Sequence, residues 1–291
     1  SYRIYKHILG SDQSSDELIF EEKDETFNCW ISKSKSNDFI FMGSWSTLSS
    51  ETQFLDANTP NAEWQMVQPR EKDHEYSVSH FEDHFYIVTN DNAKNFKLVK
   101  TPINATKKSN WKEVIGHRAD VLLEDIDIFK NHLVVSERKN GLMQLRVKKW
   151  NDNTEHYIKF NDPAYMAFTT TNLEFDTDEL RYNYTSLTTP MTTFDYNMDT
   201  KDQEMKKQAE VMDDNFSPDN YTSERMFAEV RDGVKVPISL VYKKGMKKDG
   251  KAPLLLYAYG SYGSSMDAYF SSVRLSLLDR GFVFAIAHIR G

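Results

Sequence analysis

The chain has 291 residues, 39% hydrophobic and 27% charged, with a formal net charge of −8, so there is ample material for one large or two smaller domains. The acidic balance argues against a duplex nucleic-acid binder, whose phosphates require a basic surface; it serves solubility and also fits attraction to basic substrates. No apolar run approaches bilayer-spanning length, the start "SYRIYKHILG" has no signal architecture, and the single cysteine, Cys29, excludes an internal disulfide framework or a Cys-based zinc site and favours a reducing cytoplasm.

The first two hundred residues are alternating, β-branched and aromatic runs broken by turns. "YRIYKHIL" and "ELIFEE" read as the third and fourth strands of a unit whose first half precedes the chain. Four full units follow. Their first strands are "FNCWISKS", "EYSVSH", "LEDIDIF" and "AYMAFTT", and their second strands "DFIFMGS", "HFYIVTN", "HLVVSER" and "ELRYNYT". Third strands read "TQFLD", "NFKLVK", "MQLRVKKW" and "MTTFDY"; fourth strands read "WQMVQ", "WKEVIG", "HYIKF" and "QEMKKQ". Residues 39, 85, 133 and 180 hold equivalent places, with spacings of 46, 48 and 47. Trp64 and Trp111 open two fourth strands. Four short strands at this period describe blades of a β-propeller. About four and a half blades leave open edges, so a closed ring requires preceding sequence.

The pattern changes near residue 212. "DDNFSPDN" is a turn-rich segment that reads as a linker over 213–220. "RMFAEVRDGVKVPISLVYKK" is a hairpin hinged on Asp232-Gly233, a pair suited to the positive φ angles of a tight turn. "APLLLYAY" and "FVFAIAHI" are continuous apolar runs, as expected of strands covered on both faces. Between them Phe270, Val273, Leu277 and Leu278 share one helical face, closed by Arg280 and Gly281. This strand–helix–strand unit over 221–291 is the beginning of an α/β sheet.

"RDGVKVPISLVY" and "PLLLYAYGSYGSSMDAYFSSVRLSLLDRGFVFAIAHIRG" resemble the oligopeptidase B branch of the prolyl oligopeptidase family of serine peptidases, and "EEKDETF", "KDHEYS", "KNFKL" and "FNDPAYM" resemble family segments in the same order. The resemblance covers essentially the whole chain; its C-terminal forty residues are the specific part. It implies a fold that is mainly β: part of a seven-bladed propeller over 1–212, then the first elements of an α/β-hydrolase domain. It also implies hydrolysis of short peptides after arginine or lysine through an acyl-enzyme and a cytoplasmic location with the periplasm left open, while the residues themselves carry no cofactor or metal signal. The Ser-Asp-His triad and the acidic residues that hold a basic side chain fall beyond Gly291, so this stretch alone is not expected to catalyse.

One functional residue carries over from the family's Tyr-Gly-Tyr-Gly pattern. Tyr259 matches the tyrosine whose hydroxyl donates to the oxyanion, an interaction typically worth about 3–4 kcal/mol of barrier. Tyr262 falls where the family places an aromatic near the substrate pocket. Ala258 departs from the pattern, which has glycine there; alanine is strained if that position needs a positive φ and harmless if it is extended. The bland reading of Tyr259 is a structural tyrosine whose hydroxyl satisfies a backbone group.

Other signals are weaker. His74, His80 and His84 lie in strands joined by a turn, where a four-residue spacing does not align ligands, so no metal site is read from them. His288 reads as a hydrogen-bonded core residue. Sequons at Asn104, Asn183 and Asn220 lack a secreted context. "EEKDE" and "KKGMKKDGK" read as solvated loops, and Glu124, Asp125 and Asp127 either steer basic peptides or form an ordinary wet face. "GSYG" has neither the spacing nor the lysine of a phosphate loop. Three functions stay open: a basic-specific oligopeptidase, a prolyl-specific relative, and a propeller that only displays partner surfaces. The strand–helix–strand unit favours an enzyme.

Overall fold

The computed structural model describes residues 2–152 and 154–289. The chain divides into two compact units, Ser1–Glu124 with Leu173–Phe175, and Asp125–Asn172 with Asp176–Gly291. Phe175 joins the first unit through its ring, 6.2 Å from that of Phe81.

The first unit opens with a two-stranded sheet of β1 (Arg3–Lys6) and β2 (Glu17–Glu21). Two antiparallel sheets of four strands follow. One holds β3 (Asn28–Lys33), β4 (Phe39–Trp45), β5 (Ser50–Asp56) and β6 (Gln65–Gln68); the other holds β7 (Tyr76–Phe81), β8 (His84–Thr89), β9 (Lys97–Pro102) and β10 (Lys112–Ile115). Each is a meander in sequence order, as the repeat predicts. Its apolar alternation faces a neighbouring sheet: Phe41, Phe54, Val67, Tyr76, Phe85, Ile87 and Val99 make one core. Trp111 packs against that core, while Trp64 packs against Ile4, Cys29 and Met42. The two tryptophans thus do equivalent work one repeat apart.

The division between units falls within β11 (Val121–Ile128). It heads the sheet of β12 (His132–Lys139), β13 (Leu142–Lys149) and β14 (Glu155–Tyr157). The next sheet holds β15 (Tyr165–Thr169), β16 (Glu179–Ser186), β17 (Thr192–Asn197) and β18 (Gln203–Gln208). Phe129, Val134, Leu145, Val147, Leu180 and Tyr182 belong to the core shared by these sheets. The pairs β1–β2, β5–β6, β9–β10 and β17–β18 each carry a register shift. Such bulges increase local twist.

The last sheet is of a different kind, with strand order β19-β20-β22-β21 in chain numbering. β19 (Tyr221–Glu229) and β20 (Lys235–Lys243) form the expected hairpin, paired to Glu229↔Lys235. Its turn differs from the tight Asp232-Gly233 hinge. The Gly233 N–H donates to the Val230 carbonyl and the Val230 N–H to the Val234 carbonyl, with only Gly233 of the pair at positive φ, +75°. A type I turn followed by a left-handed glycine asks nothing of Asp232, so three residues make the loop.

β21 (Leu254–Tyr257) and β22 (Val283–Ala287) are parallel, joined through α1 (Ser272–Asp279). β22 is central and buried, as its apolar run predicts. β21 is not: Leu254, Leu255, Leu256 and Tyr257 are 56%, 44%, 57% and 43% exposed. The strand lies at the sheet edge and α1 covers β20 and β22 instead. The inward face of the helix overlaps the predicted one only in part: Leu278 is buried and Phe270 packs against the same core, but the other positions differ. Val273 is 82% exposed, whereas Arg274, Leu275 and Leu278 are buried, because the Arg274 guanidinium lies over the Phe284 ring at 4.0 Å. Gly281, at φ +87°, ends the helix as expected, its N–H donating to the Leu278 carbonyl.

Candidate active-site loop

The segment between β21 and α1 carries both tyrosines. Tyr259 follows the strand and is 42% exposed. Ala258 is not among the residues at positive φ, so alanine sits there without the strain that would have demanded glycine. Gly260 breaks the strand at φ −158° and ψ 12°, and Ser261–Ser264 make a tight turn closed by the Ser264 N–H donating to the Ser261 carbonyl at 3.1 Å. Tyr262 lies inside that turn in the left-handed region, φ 60° and ψ 33°, and is 88% exposed. The fold therefore brings Tyr259 and Tyr262 to one loop at the end of a parallel strand. In α/β sheets, ligands bind beyond the carboxyl ends of strands.

The loop is held from below. His288 extends past β22, and burial holds its imidazole below the ordinary value. A neutral ring needs one donor and one acceptor. Its Nδ1–H donates to the Met266 carbonyl at 2.7 Å, leaving Nε2 to accept from the Ser239 hydroxyl at 2.7 Å. Ser239 is fully buried, so this serine–histidine pair is a core network and offers no nucleophile. The sequence reading of His288 as a satisfied core residue holds. Further along, the Phe270 N–H donates to the Thr185 hydroxyl at 3.1 Å, and Arg274 to the Tyr269 carbonyl at 2.9 Å.

Sequence reasoning missed the charged contact on this loop. Arg138, on β12, forms a two-pronged pair with Asp267, Nη1 to Oδ1 at 2.5 Å and Nη2 to Oδ2 at 3.3 Å. Both side chains are only 14% exposed. The residues are 129 apart, beyond any periodicity, although Asn140-Gly141 marks the hairpin tip that presents the arginine.

The histidines set aside earlier are engaged locally. His74 Nε2 meets the Thr89 hydroxyl at 2.9 Å, His80 meets Ser36 and the Glu82 carbonyl, and His84 meets Asp83. Among the described residues, His132, Asp178 and Asp199 do lie close enough to share an ion, a grouping the sequence reading did not reach. There the Lys149 ammonium already sits 2.7 Å from Asp199 Oδ1, the same oxygen that His132 Nε2 contacts at 2.9 Å. Glu124 and Asp125 are exposed on β11 and Asp127 is half-buried. The run "EEKDE" is not a fully solvated loop: Glu22 is buried and pairs with Arg70 at 2.5 Å. Asn183 lies within β16, where its Oδ1 accepts from the Thr193 hydroxyl at 2.8 Å. Among the described residues no helix is long and apolar enough to cross a membrane.

A family model described as prolyl oligopeptidase, N-terminal beta-propeller domain, matches residues 1–209. The chain belongs to the prolyl oligopeptidase family. Within that family it is 44% identical to dipeptidyl aminopeptidase BI of Pseudoxanthomonas mexicana, over all of this chain and 40% of the relative. It is 39% identical to protease 2 of Moraxella lacunata, over 99% of this chain and 41% of the relative. Oligopeptidase B from Leishmania major superposes on the whole chain with a TM-score of 0.91 at 33% identity, 42% of that structure being covered. The chain thus spans about 40% of the length of the curated family members it matches. Its meandering four-stranded sheets are blades of the family's propeller.

Proposed function

We propose that this chain is part of a serine-type oligopeptidase that cleaves short peptides on the carboxyl side of arginine or lysine through an acyl-enzyme. Residues 1–212 supply propeller blades, 213–220 a linker, and 221–291 the first elements of an α/β-hydrolase domain. The observation that supports the reading is the likeness of all of this chain to part of oligopeptidase B, which extends through the parallel β21–α1–β22 unit as well as the blades. In this reading the Tyr259 hydroxyl donates to the oxygen that gains charge as the scissile carbonyl becomes tetrahedral, on a strand end that needs no rearrangement. Tyr262, exposed one turn further on, contacts the substrate. The triad is contributed by sequence beyond Gly291, the substrates are short basic peptides, and the compartment is the cytoplasm.

The coding sequence past Gly291 tests this. The reading expects a Gly-x-Ser-x-Gly elbow, then an aspartate, then a histidine. A stop codon directly after Gly291 ends the peptidase assignment for this product and leaves a propeller that binds without catalysis.

The 44% identity to dipeptidyl aminopeptidase BI supports a second reading, removal of dipeptides from free amino termini. Peptide anilides ending in arginine, lysine or proline, each with a free or a blocked amino terminus, separate the possibilities. Cleavage of blocked arginyl and lysyl substrates supports the first reading. Turnover confined to unblocked dipeptidyl substrates supports the second, and turnover confined to prolyl substrates removes both.

A further inference from the structure

The hairpin β12–β13 ends in a two-residue turn, Asn140-Gly141, with φ values of +52° and +76° across the pair Lys139↔Leu142. Both central residues at positive φ make a tight turn that follows the twist of its strands, so the tip is stiff. It meets the segment before α1 by two routes. Directly, Arg138 grips Asp267 with both guanidinium prongs. Indirectly, Gly141 lies so close to His288 that an added Cβ would stand 3.3 Å from the His288 Cβ, and His288 donates to the Met266 carbonyl. The carbonyl of Asn140 also accepts from Arg225 on β19. Two consecutive residues of the tyrosine loop, Met266 and Asp267, are therefore fixed by groups that contact this one hairpin tip.

Among the described residues, no side-chain hydrogen bond or ion pair is seen at the other end of the loop. Tyr259 and Tyr262 are exposed, Gly260 precedes the turn at 261–264 and Gly263 lies within it, and neither glycine has a side chain to anchor it. The contacts at 266–267 are therefore the first side-chain holds seen after Tyr259 on the loop that carries it. A charge-assisted, two-pronged pair between largely buried partners is the strongest of those holds.

We propose that Arg138 is a positioning residue for Tyr259, acting through its ion pair with Asp267. This rests on the reading of Tyr259 as an oxyanion donor. It makes the hairpin of a propeller blade a part that sets catalytic geometry, in addition to its place in the wall.

Two measurements test it, the first needing no activity. In the complete protein, Arg138→Met is expected to raise amide hydrogen exchange across residues 261–270 at least about tenfold while β16 and β17 keep their protection. Asp267→Asn, which preserves shape, gives the same pattern, and Arg138→Lys an intermediate one. Unchanged exchange in Asp267→Asn overturns the proposal even where Arg138→Met unfolds.

The second is a double-mutant cycle in the complete peptidase. Arg138→Met is expected to lower kcat about tenfold with KM within about threefold, and to cost less than about twofold more once Tyr259 is phenylalanine, because one interaction is then lost only once. Losses that multiply in the double variant overturn the positioning role and leave Tyr259 in place. A Tyr259→Phe enzyme with the parent kcat instead overturns the oxyanion reading, and the exchange measurement then decides the tether alone.

Discussion

Glu22 is where acidification acts on a single residue. Burial by itself pushes its carboxyl up, but hydrogen bonding and charge from Arg70 outweigh burial and hold it at about 2. Arg70 also pairs with Glu51 at 2.5 Å and stacks over the Phe27 ring at 4.1 Å, tying the loop after β2 to β5. The carboxyl lies below its unfolded value of 4.5, so the stability it contributes is full above that value and disappears as pH falls through about 2. We expect urea unfolding to show a loss on the order of 2 kcal/mol between pH 7 and pH 3 from this group, and Glu22→Gln to lack that component. Arg70→Met at neutral pH leaves a buried carboxylate without its partner and is expected to cost about 3–5 kcal/mol. At Tyr262 the expectation is kinetic. If Tyr262, 88% exposed at its turn, touches substrate as proposed, Tyr262→Ala in the complete enzyme should raise KM several-fold and leave kcat nearly unchanged.

At the scale of elements, the second blade strand shows how closely the sheets are fitted. Gly43 sits in β4 opposite Trp30 and Thr52, and a Cβ there would collide with the Glu51 carbonyl oxygen and stand 2.9 Å from the Trp30 ring. Gly43→Ala is expected to destabilise the first unit by about 2–3 kcal/mol, read as a lower urea midpoint with an unchanged slope. Blade strands were legible in sequence because period-two alternation and a repeat near 47 residues reinforce one another. What stayed illegible had a physical cause each time. The phase of α1 escapes a hydrophobic count because Arg274 buries its stem and stacks on Phe284, behaviour no such count assigns to arginine. The cover expected on both faces of β21 is not supplied within these 291 residues, which span about 40% of the length of the family members matched. The β19–β20 turn differs from its expected form because Asp-Gly serves a three-residue loop as well as a two-residue one.

At the scale of the whole molecule, the two parts of the sequence differ in how they announce function. The repeats fix a family of blades and leave activity open, since propellers serve enzymes and scaffolds alike. The tyrosine loop speaks to chemistry only through resemblance: Tyr259 and Tyr262 are proposed as site residues because "YAYGSYG" matches the family's Tyr-Gly-Tyr-Gly pattern. Arg138, Asp267 and the His288 network match no such pattern, because their partners are brought together only by the tertiary fold. The likeness to oligopeptidase B carries the peptidase reading, and the catalytic part of that proposal rests on Tyr259. The measurement that bears on it most directly is kcat for a blocked arginyl anilide, compared between the complete enzyme and its Tyr259→Phe variant. The account predicts a fall of roughly 100-fold or more with KM little changed, as for loss of one oxyanion donor. A variant that turns over at the parent rate would contradict it.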